Sequence, residues 1–279
     1  MRRVVWSIMA SAQTTWKFAP LRQPFTASSD TRKLEGIVFD VDGTLCEPQT
    51  YMFTEMRSAL GISKSQDILE HVYSLETPEQ QHHAMEQIRD IERRAMLSQV
   101  AQPGLVQLMA YLDSRRIRKG ICTRNFDTPV NNLLEKFLAG SVFAPIVTRD
   151  FRPPKPDPAG ILHIAQSWGL RRKSNGEDGV PADPIDEEAR RSAQEGGTQD
   201  GAAGDSGLLH TTTGEDVADA SALIMVGDSV DDITAGRRAG AKTVLLVNDV
   251  NSHLADHEHT DLVISRLDEL IDVLENGLL

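Results

Sequence analysis

The chain has 279 residues, of which 40% are hydrophobic and 25% are charged, ordinary proportions for a globular protein. Its formal net charge of −12 argues against a nucleic-acid-binding surface. Two cysteines are too few for a disulfide framework and favour a reducing compartment such as the cytoplasm. No apolar run approaches the roughly 18 residues that a bilayer span needs, so no membrane segment is expected.

Residues 1–33 are interpreted as an N-terminal extension. The first 29 residues contain four basic residues and no acid, together with two tryptophans and several Ser and Thr. This composition is typical of a mitochondrial presequence, which makes a mitochondrial location the alternative to a cytoplasmic one. The other interpretation is an extension that is disordered or only weakly packed.

A strand and an acidic turn follow in residues 34–45. Residues 37–45 read Ile-Val-Phe-Asp-Val-Asp-Gly-Thr-Leu, so an apolar run ends in Asp40 and Asp42 and then turns at Gly43. A buried strand with this ending presents its carboxylates at the carboxyl edge of a sheet, where open α/β folds bind ligands. Because two acids so close repel each other, the pattern suggests a divalent cation and a carboxylate nucleophile.

Residues 46–102 are predicted to be helical, with almost no strand signal. Apolar residues recur there at mostly helical spacing. Thr77 followed by Pro78 is typical of a helix start, with Thr77 as the N-cap and Pro78 at the first position. A long helix is therefore predicted from Pro78 to about Gln99.

Strands and helices alternate from residue 103 to the end of the chain. The predicted strands cover 119–123, 145–148, 223–226, 243–247 and 262–264. Predicted helices begin at Pro103 and cover 129–138, 159–168, 231–239 and 267–275. Repeated strand–helix units predict an α/β fold with a Rossmann-like, doubly wound parallel sheet, formed by residues 34–45 and 103–279.

Residues 172–220 interrupt this alternation. The stretch is rich in Gly, Ala, Ser, Asp and Glu and has no aromatic residue, and residues 174–220 hold twelve acids against two arginines. Such a composition buries too little apolar area to fold alone, and its length exceeds an ordinary connection. We expect a disordered acidic insertion, with an acidic segment that recruits a partner as the alternative.

Four short segments follow predicted strands and are expected to converge on one sheet edge. They contain the Asp40–Asp42 pair, Thr123, Lys155 in a Pro-rich loop, and the Gly-Asp-Ser-Val-Asp-Asp run at 227–232. Together they supply carboxylates, a hydroxyl and an amine. Transfer of a dianionic phosphoryl group needs positive charge and hydrogen-bond donors of this kind.

The four segments in this order resemble the haloacid dehalogenase superfamily, in particular its phosphatase-like members with a helical cap inserted after the first motif. The resemblance rests on Asp-x-Asp-Gly-Thr-Leu after an apolar strand and on Gly-Asp-x-x-x-Asp at 227–232. It covers about residues 34–278, apart from the acidic stretch. It implies that residues 46–102 form a small helical cap.

The resemblance also implies catalytic roles. Asp40 would be the nucleophile that forms an aspartyl-phosphate, and Asp42 would be the general acid and base. Thr123 would hold a phosphoryl oxygen, and Lys155 would offset the negative charge. Since dehalogenases of the superfamily lack the second aspartate, Asp42 favours phosphoryl transfer.

A magnesium ion is implied in the same way. Asp40, Asp228 and the backbone carbonyl of Asp42 would bind Mg²⁺, and Asp232 would support the site through metal-bound water or Lys155. Arg124 and Asn125, which follow Thr123 at the same edge, are candidate substrate contacts.

The resulting hypothesis is a Mg²⁺-dependent phosphatase that acts on a small phosphorylated metabolite, such as a sugar phosphate or phosphoglycolate. The alternatives are a phosphomutase of sugar phosphates and a non-catalytic binding protein. Substrate choice is expected to lie in the cap, with Thr50, Tyr51, Arg57 and Arg94 as candidate contacts. The oligomeric state is left open.

Overall fold

The computed structural model describes residues 17–21, 31–173 and 216–277. Ten strands lie in these ranges: β1 Lys17–Phe18, β2 Thr31–Arg32, β3 Gly36–Phe39, β4 Arg118–Cys122, β5 Ile146–Val147, β6 Arg171–Lys173, β7 Asp216–Ala218, β8 Leu223–Gly227, β9 Lys242–Leu246 and β10 Leu262–Ile264. The same ranges contain eight α-helices: α1 Thr50–Leu60, α2 Ile68–Ser74, α3 Pro78–Leu97, α4 Leu105–Ser114, α5 Asp127–Phe137, α6 Ala159–Ser167, α7 Val230–Ala239 and α8 Glu269–Asn276.

A six-stranded parallel sheet organises the larger of two compact units, which comprises residues 1–170 and 219–279. Its strand order is β10-β9-β8-β3-β4-β5. The central strand β3 pairs with β8 on one side and with β4 on the other, and all four of its residues are buried. This arrangement confirms the predicted α/β fold and puts the carboxyl ends of β3, β4, β5 and β8 along one edge.

Local sequence signals explain where α3 and α7 begin. In α3 the predicted cap is confirmed: Thr77 and Gln80 form a capping box, and Pro78 takes the first position. In α7 the cap is Ser229, whose partner in the capping box is Asp232. Asp232, a predicted site residue, is therefore fixed by the helix start itself.

Helices α1, α2 and α3 lie between β3 and β4 in sequence and share their own apolar cluster. Its members are buried residues of the three helices together with Phe126, which follows β4. The chain enters and leaves this helical segment side by side, because Cys46 bridges to Ala101 and the amide of Gln102 donates to the carbonyl of Leu45. The predicted helical region is thus present, with α3 ending at Leu97.

Part of the N-terminal extension packs against the core, contrary to the weak packing expected. The Phe18 side chain is 3% exposed within the main apolar cluster, and the amide of Leu21 donates to the carbonyl of Leu274. Composition alone could not reveal this, because it does not show which apolar residues of the extension reach the core; Phe18 and Leu21 do. Residues 1–16 and 22–30 lie outside the described ranges.

The second compact unit comprises residues 171–218. Most of the predicted acidic insertion, residues 174–215, lies outside the described ranges. The described ends of the unit are strands rather than coil: β6 and β7 pair antiparallel, with Arg171 opposite Ala218. Just after them, Ala220 is fully buried in the larger unit. The last residue of the predicted insertion therefore belongs to the core.

Of the helices in the described ranges, none combines the length and the apolar character that crossing a membrane requires.

Candidate active site

Asp40 and Asp42 leave the end of β3 as predicted. The backbone amide of Asp40 still donates to the carbonyl of Val226 in β8, so the pairing of β3 with β8 holds the start of the turn. Gly43 then adopts a φ of +82°, and a Cβ built on it would lie 2.1 Å from Oδ2 of Asp228. Only glycine can adopt this backbone conformation and also leave room for the Asp228 carboxylate. The turn thereby brings the motif of Asp40 and Asp42 next to the motif of Asp228.

Lys155 lies between two of the predicted acids. Its ammonium donates to Oδ1 of Asp40 at 2.7 Å and also to Oδ1 of Asp232. Burial alone would lower the pKa of Lys155, but Asp232 and Asp40 together raise it. The lysine is therefore a fixed positive charge beside Asp40.

Asp40, Asp228 and Asp232 form an acidic cluster in which one carboxylate oxygen from each lies within 4.8 Å of the others. Burial, opposed by Lys155, raises the pKa of Asp40 to about 7. Burial, followed by the charges of Asp232 and Asp40, raises the pKa of Asp228 to about 8. Clustered carboxylates with such raised pKa values are the donor set that a divalent cation would bind and ionise.

Asp42 turns its carboxylate away from that cluster. Its Oδ2 accepts a 2.8 Å hydrogen bond from the side-chain amide of Asn125, and its Oδ1 lies 3.7 Å from the thiol of Cys46. Burial raises the pKa of Asp42, and these hydrogen bonds oppose the rise. The two carboxylates of one motif thus have different hydrogen-bond partners, and the predicted metal contact of Asp42 is its backbone carbonyl.

Thr123 and Arg124 follow β4 with different surroundings. The Thr123 hydroxyl oxygen accepts from the amide of Asn125 at 3.2 Å, so its hydrogen can still donate into the site. Arg124 is engaged by two acids, Asp67 at the N-cap of α2 and Asp231 in the first turn of α7. The guanidinium expected to touch substrate therefore connects the helical segment to the sheet edge.

All eight predicted site residues line one cavity of about 240 Å³. They are Asp40, Asp42, Thr123, Arg124, Asn125, Lys155, Asp228 and Asp232. The helical segment closes the other side with Gln49, Met52, Phe53 and Glu92.

The contacts predicted from the helical segment are not the ones that line the cavity. Tyr51 is 48% exposed and shares a hydrogen bond with Ser98. Arg57 donates to the carbonyl of Phe53, and Arg94 pairs with Glu55. Tyr51 and Arg94 lie on exposed faces of their helices, and Arg57 is partly buried. Polar side chains are common at such helix positions and carry little information about a site.

Sequence reasoning missed Gln49, Met52 and Phe53 of the cavity wall, and also two charged residues outside the four predicted segments, Glu92 and Arg149. Glu92 lies four residues after Ile88 on the buried side of α3, and Arg149 comes two residues after the end of β5. Each had a readable signal: an acid on an apolar helix stripe, and a cation at the strand-end edge. Arg149 donates to Glu92 at 2.8 Å.

Family models match most of the chain. One described as haloacid dehalogenase-like hydrolase matches residues 34–175, and one described as HAD-hydrolase-like matches residues 202–270. The Saccharomyces cerevisiae protein named Uncharacterized hydrolase YOR131C is 37% identical over 251 residues, which cover 88% of this chain and 93% of that protein.

Solved structures agree with the fold. A hydrolase from Pseudomonas syringae has a TM-score of 0.56 at 20% identity, over 86% of this chain and 98% of that chain. CbbY from Rhodobacter sphaeroides, in complex with xylulose-1,5-bisphosphate, has a TM-score of 0.56 at 16% identity, over 85% and 96% of the two chains. With the family-model matches and the yeast relative, these findings establish that the chain belongs to the haloacid dehalogenase-like hydrolases.

Proposed function

We propose that this hydrolase is a Mg²⁺-dependent phosphatase that cleaves a small phosphate monoester through an aspartyl-phosphate on Asp40. One observation carries the proposal. The two carboxylates of the Asp-x-Asp motif line the same cavity with opposite surroundings, Asp40 beside Lys155 and Asp42 beside Asn125. Two carboxylates in different environments suit one nucleophile and one proton carrier.

In the first step a carboxylate oxygen of Asp40 attacks phosphorus, and the bond from phosphorus to the ester oxygen breaks. Asp42 gives its proton to that oxygen, so the product leaves as a neutral alcohol. Burial favours the protonated form of Asp42 before this step, since it raises the pKa of that carboxyl. The Lys155 ammonium offsets the negative charge on the phosphoryl group, and the Thr123 hydroxyl binds a phosphoryl oxygen.

In the second step water attacks the aspartyl-phosphate, and Asp42 takes a proton from that water. Inorganic phosphate leaves, and Asp40 returns as a carboxylate. The Asn125 amide keeps Asp42 in one orientation for both transfers. The same carboxyl therefore acts first as an acid and then as a base, which restores the enzyme after each turnover.

The acidic cluster supports magnesium as the cofactor. Asp40, Asp228 and Asp232 offer oxygen ligands only, which Mg²⁺ prefers in company with waters and a substrate phosphate. When bound, Mg²⁺ would neutralise charge on the phosphoryl group and on Asp40. The side-chain amide of Asn251 donates to the backbone carbonyl of Asp228 at 2.6 Å and so fixes the chain just after β8.

The helical segment of residues 46–102 is proposed to act as the cap. It supplies one wall of the cavity and meets the sheet edge through polar pairs, so its movement would admit substrate and exclude water. A cavity of about 240 Å³ suits a small phosphorylated metabolite. The sugar bisphosphate in CbbY, a protein of the same fold, supports this substrate class.

A comparison of wild type with Asp40→Asn tests the proposal. Wild type should release inorganic phosphate from a panel of small phosphate monoesters with Mg²⁺ and should lose this activity in EDTA. Asp40→Asn should be almost inactive, while Asp90→Asn, which changes an exposed acid on α3, should match wild type. Equal turnover by Asp40→Asn and wild type would contradict the nucleophile assignment. Turnover that requires an added sugar bisphosphate would favour a mutase.

A further inference from the structure

Glu92 and Arg149 form a buried ion pair between the helical segment and the sheet. Nη2 of Arg149 donates to Oε1 of Glu92 at 2.8 Å, and the two residues are 6% and 2% exposed. Their side chains lie in the wall of the cavity that holds the Asp-x-Asp motif. A buried charge pair is costly to desolvate, so it is weak evidence for a purely stabilising role.

The guanidinium of Arg149 is held from several sides. Its Nε donates to the carbonyl of Arg124 at 2.8 Å, and its Cζ lies 4.0 Å from the centroid of the Phe126 ring. The backbone amide of Arg149 donates to the carbonyl of Asn125. The direction of the guanidinium is therefore fixed by the loop after β4, the loop that also carries Thr123.

Each partner keeps one polar atom without a hydrogen bond. Within the part of the chain that the structure describes, Nη1 of Arg149 and Oε2 of Glu92 have no hydrogen-bond partner. Buried polar atoms nearly always have one, so a ligand group that supplies both missing bonds would be favoured here. The pair offers one donor and one acceptor to that group.

The pair lies beside Asn125, the residue that binds the proposed acid Asp42. The backbone amide of Arg149 donates to the carbonyl of Asn125, and the side-chain amide of Asn125 donates to Oδ2 of Asp42. All four residues line the same cavity. A leaving oxygen that receives its proton from Asp42 would therefore lie on the side of the cavity that holds the pair.

A hydroxyl group matches this pair better than an anion does. A hydroxyl can accept from Arg149 and donate to Glu92 at the same time. A carboxylate can accept from Arg149 but would bring a second negative charge against Glu92. Glu92 therefore acts against anionic leaving groups as well as in favour of hydroxyl groups.

We propose that Glu92 and Arg149 select a phosphate monoester whose alcohol carries a neutral hydroxyl near the ester, as in a polyol or sugar monophosphate, over one that carries a carboxylate. The inference rests on the proposed phosphatase function and names the substrate class of that site. It decides between sugar phosphates and phosphoglycolate in favour of the former.

Three esters that differ in one group test the selection: 2-hydroxyethyl phosphate, ethyl phosphate and 2-phosphoglycolate. Wild type with Mg²⁺ should give a kcat/KM for 2-hydroxyethyl phosphate at least about tenfold above the other two, since an unmatched buried hydrogen-bonding pair discriminates strongly. Glu92→Gln should reduce the preference over 2-phosphoglycolate to about threefold or less, because the amide can accept from Arg149 and donate to a carboxylate.

Arg149→Lys gives an independent variant in case Glu92→Gln fails to fold, which circular dichroism would reveal. It keeps the charge but loses the planar fork, so the preference for 2-hydroxyethyl phosphate over ethyl phosphate should fall. The matched control is Glu79→Gln, the same chemical change at an exposed position of α3, which should leave all three ratios unchanged.

The outcomes separate the two proposals. A wild-type preference for 2-phosphoglycolate, or folded Glu92→Gln and Arg149→Lys with wild-type ratios, would overturn the selection and leave the phosphatase function intact. No phosphate release from any of the three esters or from p-nitrophenyl phosphate would overturn the phosphatase function, and the selection with it.

Discussion

The side-chain amide of Asn125 donates a 2.8 Å hydrogen bond to the carboxylate of Asp42. Asn125 is itself 4% exposed, and its side-chain oxygen accepts from the amide of Phe126 at the other end. The asparagine is therefore held by the backbone while it holds Asp42. It is a positioning residue, because its contact in the structure is with the proposed acid and base.

Asn125→Ala is expected to lower kcat by about 10- to 100-fold, a part of the 10²–10⁴ that a positioned acid or base contributes. KM should change less, because the proposed phosphate contacts of Thr123 and Lys155 remain. The hydrogen bond lowers the pKa of Asp42, so its loss should also move the pH profile of kcat upwards. Steady-state kinetics from pH 5 to 9 measure both effects.

The control for this variant is Asn131→Ala, which makes the same change at an exposed position of α5. It should have wild-type kcat and an unshifted pH profile. Asn125→Ala with an unshifted profile and wild-type kcat would show that Asp42 needs no such partner.

Gly43→Ala tests the close approach between the first and last motifs. The added Cβ would lie 2.1 Å from Oδ2 of Asp228, and a φ of +82° already costs an alanine about 1–2 kcal/mol. We expect a lower melting temperature and a loss of Mg²⁺-dependent activity of at least about tenfold, since Asp228 must move away from Asp40. Thermal unfolding and Mg²⁺ titration of the activity measure the two effects.

Gly61→Ala separates strain from contact. Gly61 also has a positive φ, of +67°, but a Cβ there meets nothing within 4 Å. This variant should lose stability and keep its apparent affinity for Mg²⁺. Equal Mg²⁺ dependence in Gly43→Ala and Gly61→Ala would mean that the approach of Asp228 does not matter.

The sequence was informative about the sheet edge because parallel strands place local motifs at one end. Thr123 and Asp228 follow strands, and Lys155 lies in the loop after another strand. Their convergence on Asp40 could therefore be predicted from a parallel sheet alone. The capping signal of Thr77 and Pro78 fixed the start of α3 for the same reason, since the interaction is local.

The helical wall was harder to predict because it depends on distant packing. Glu92 meets Arg149 across 57 residues of sequence. An acid on the apolar stripe of α3 is a local signal, but no local pattern identifies its partner. Arg124 could equally have bound substrate or protein, and its acidic partners Asp67 and Asp231 are 57 and 107 residues away in sequence. Phe18 likewise belongs to an apolar cluster whose other buried members lie at residue 34 and beyond.

Arg124→Gln is predicted to weaken the attachment of the helical segment. The guanidinium joins Asp67 of that segment to Asp231 of α7, and all three side chains are about one-third exposed. Partly exposed pairs contribute up to about 1 kcal/mol each, so KM should rise by roughly five- to tenfold if closure limits binding. Substrate titrations at low and at high salt measure this, and wild type at high salt should approach the variant.

Arg94→Gln serves as the control, because it removes an ion pair with Glu55 that joins α3 to α1 within the segment. Its KM should equal that of wild type at both salt concentrations, because this pair lies within the segment. A wild-type KM in Arg124→Gln would show that the Asp67 and Asp231 contacts do not hold the segment in place.

The acidic cluster predicts opposite effects of pH with and without Mg²⁺. In EDTA, burial and the charges of Asp232 and Asp40 raise the pKa of Asp228 from 3.8 to about 8. Between about pH 4 and pH 8 the folded chain therefore holds a proton that the unfolded chain has released, so this group's contribution to stability falls as pH rises. The melting temperature of wild type relative to Asp228→Asn should decline from pH 5 to pH 8.

Mg²⁺ should reverse the trend, because it binds the ionised carboxylates and releases their protons. The rise in melting temperature on adding Mg²⁺ should be larger at pH 8 than at pH 5, by several degrees at roughly 2–4 °C for each kcal/mol. Asp228→Asn should lose most of this rise, whereas Asp90→Asn, at an exposed site on α3, should keep it. A Mg²⁺ effect that is equal at both pH values and survives in Asp228→Asn would place the cation away from this cluster.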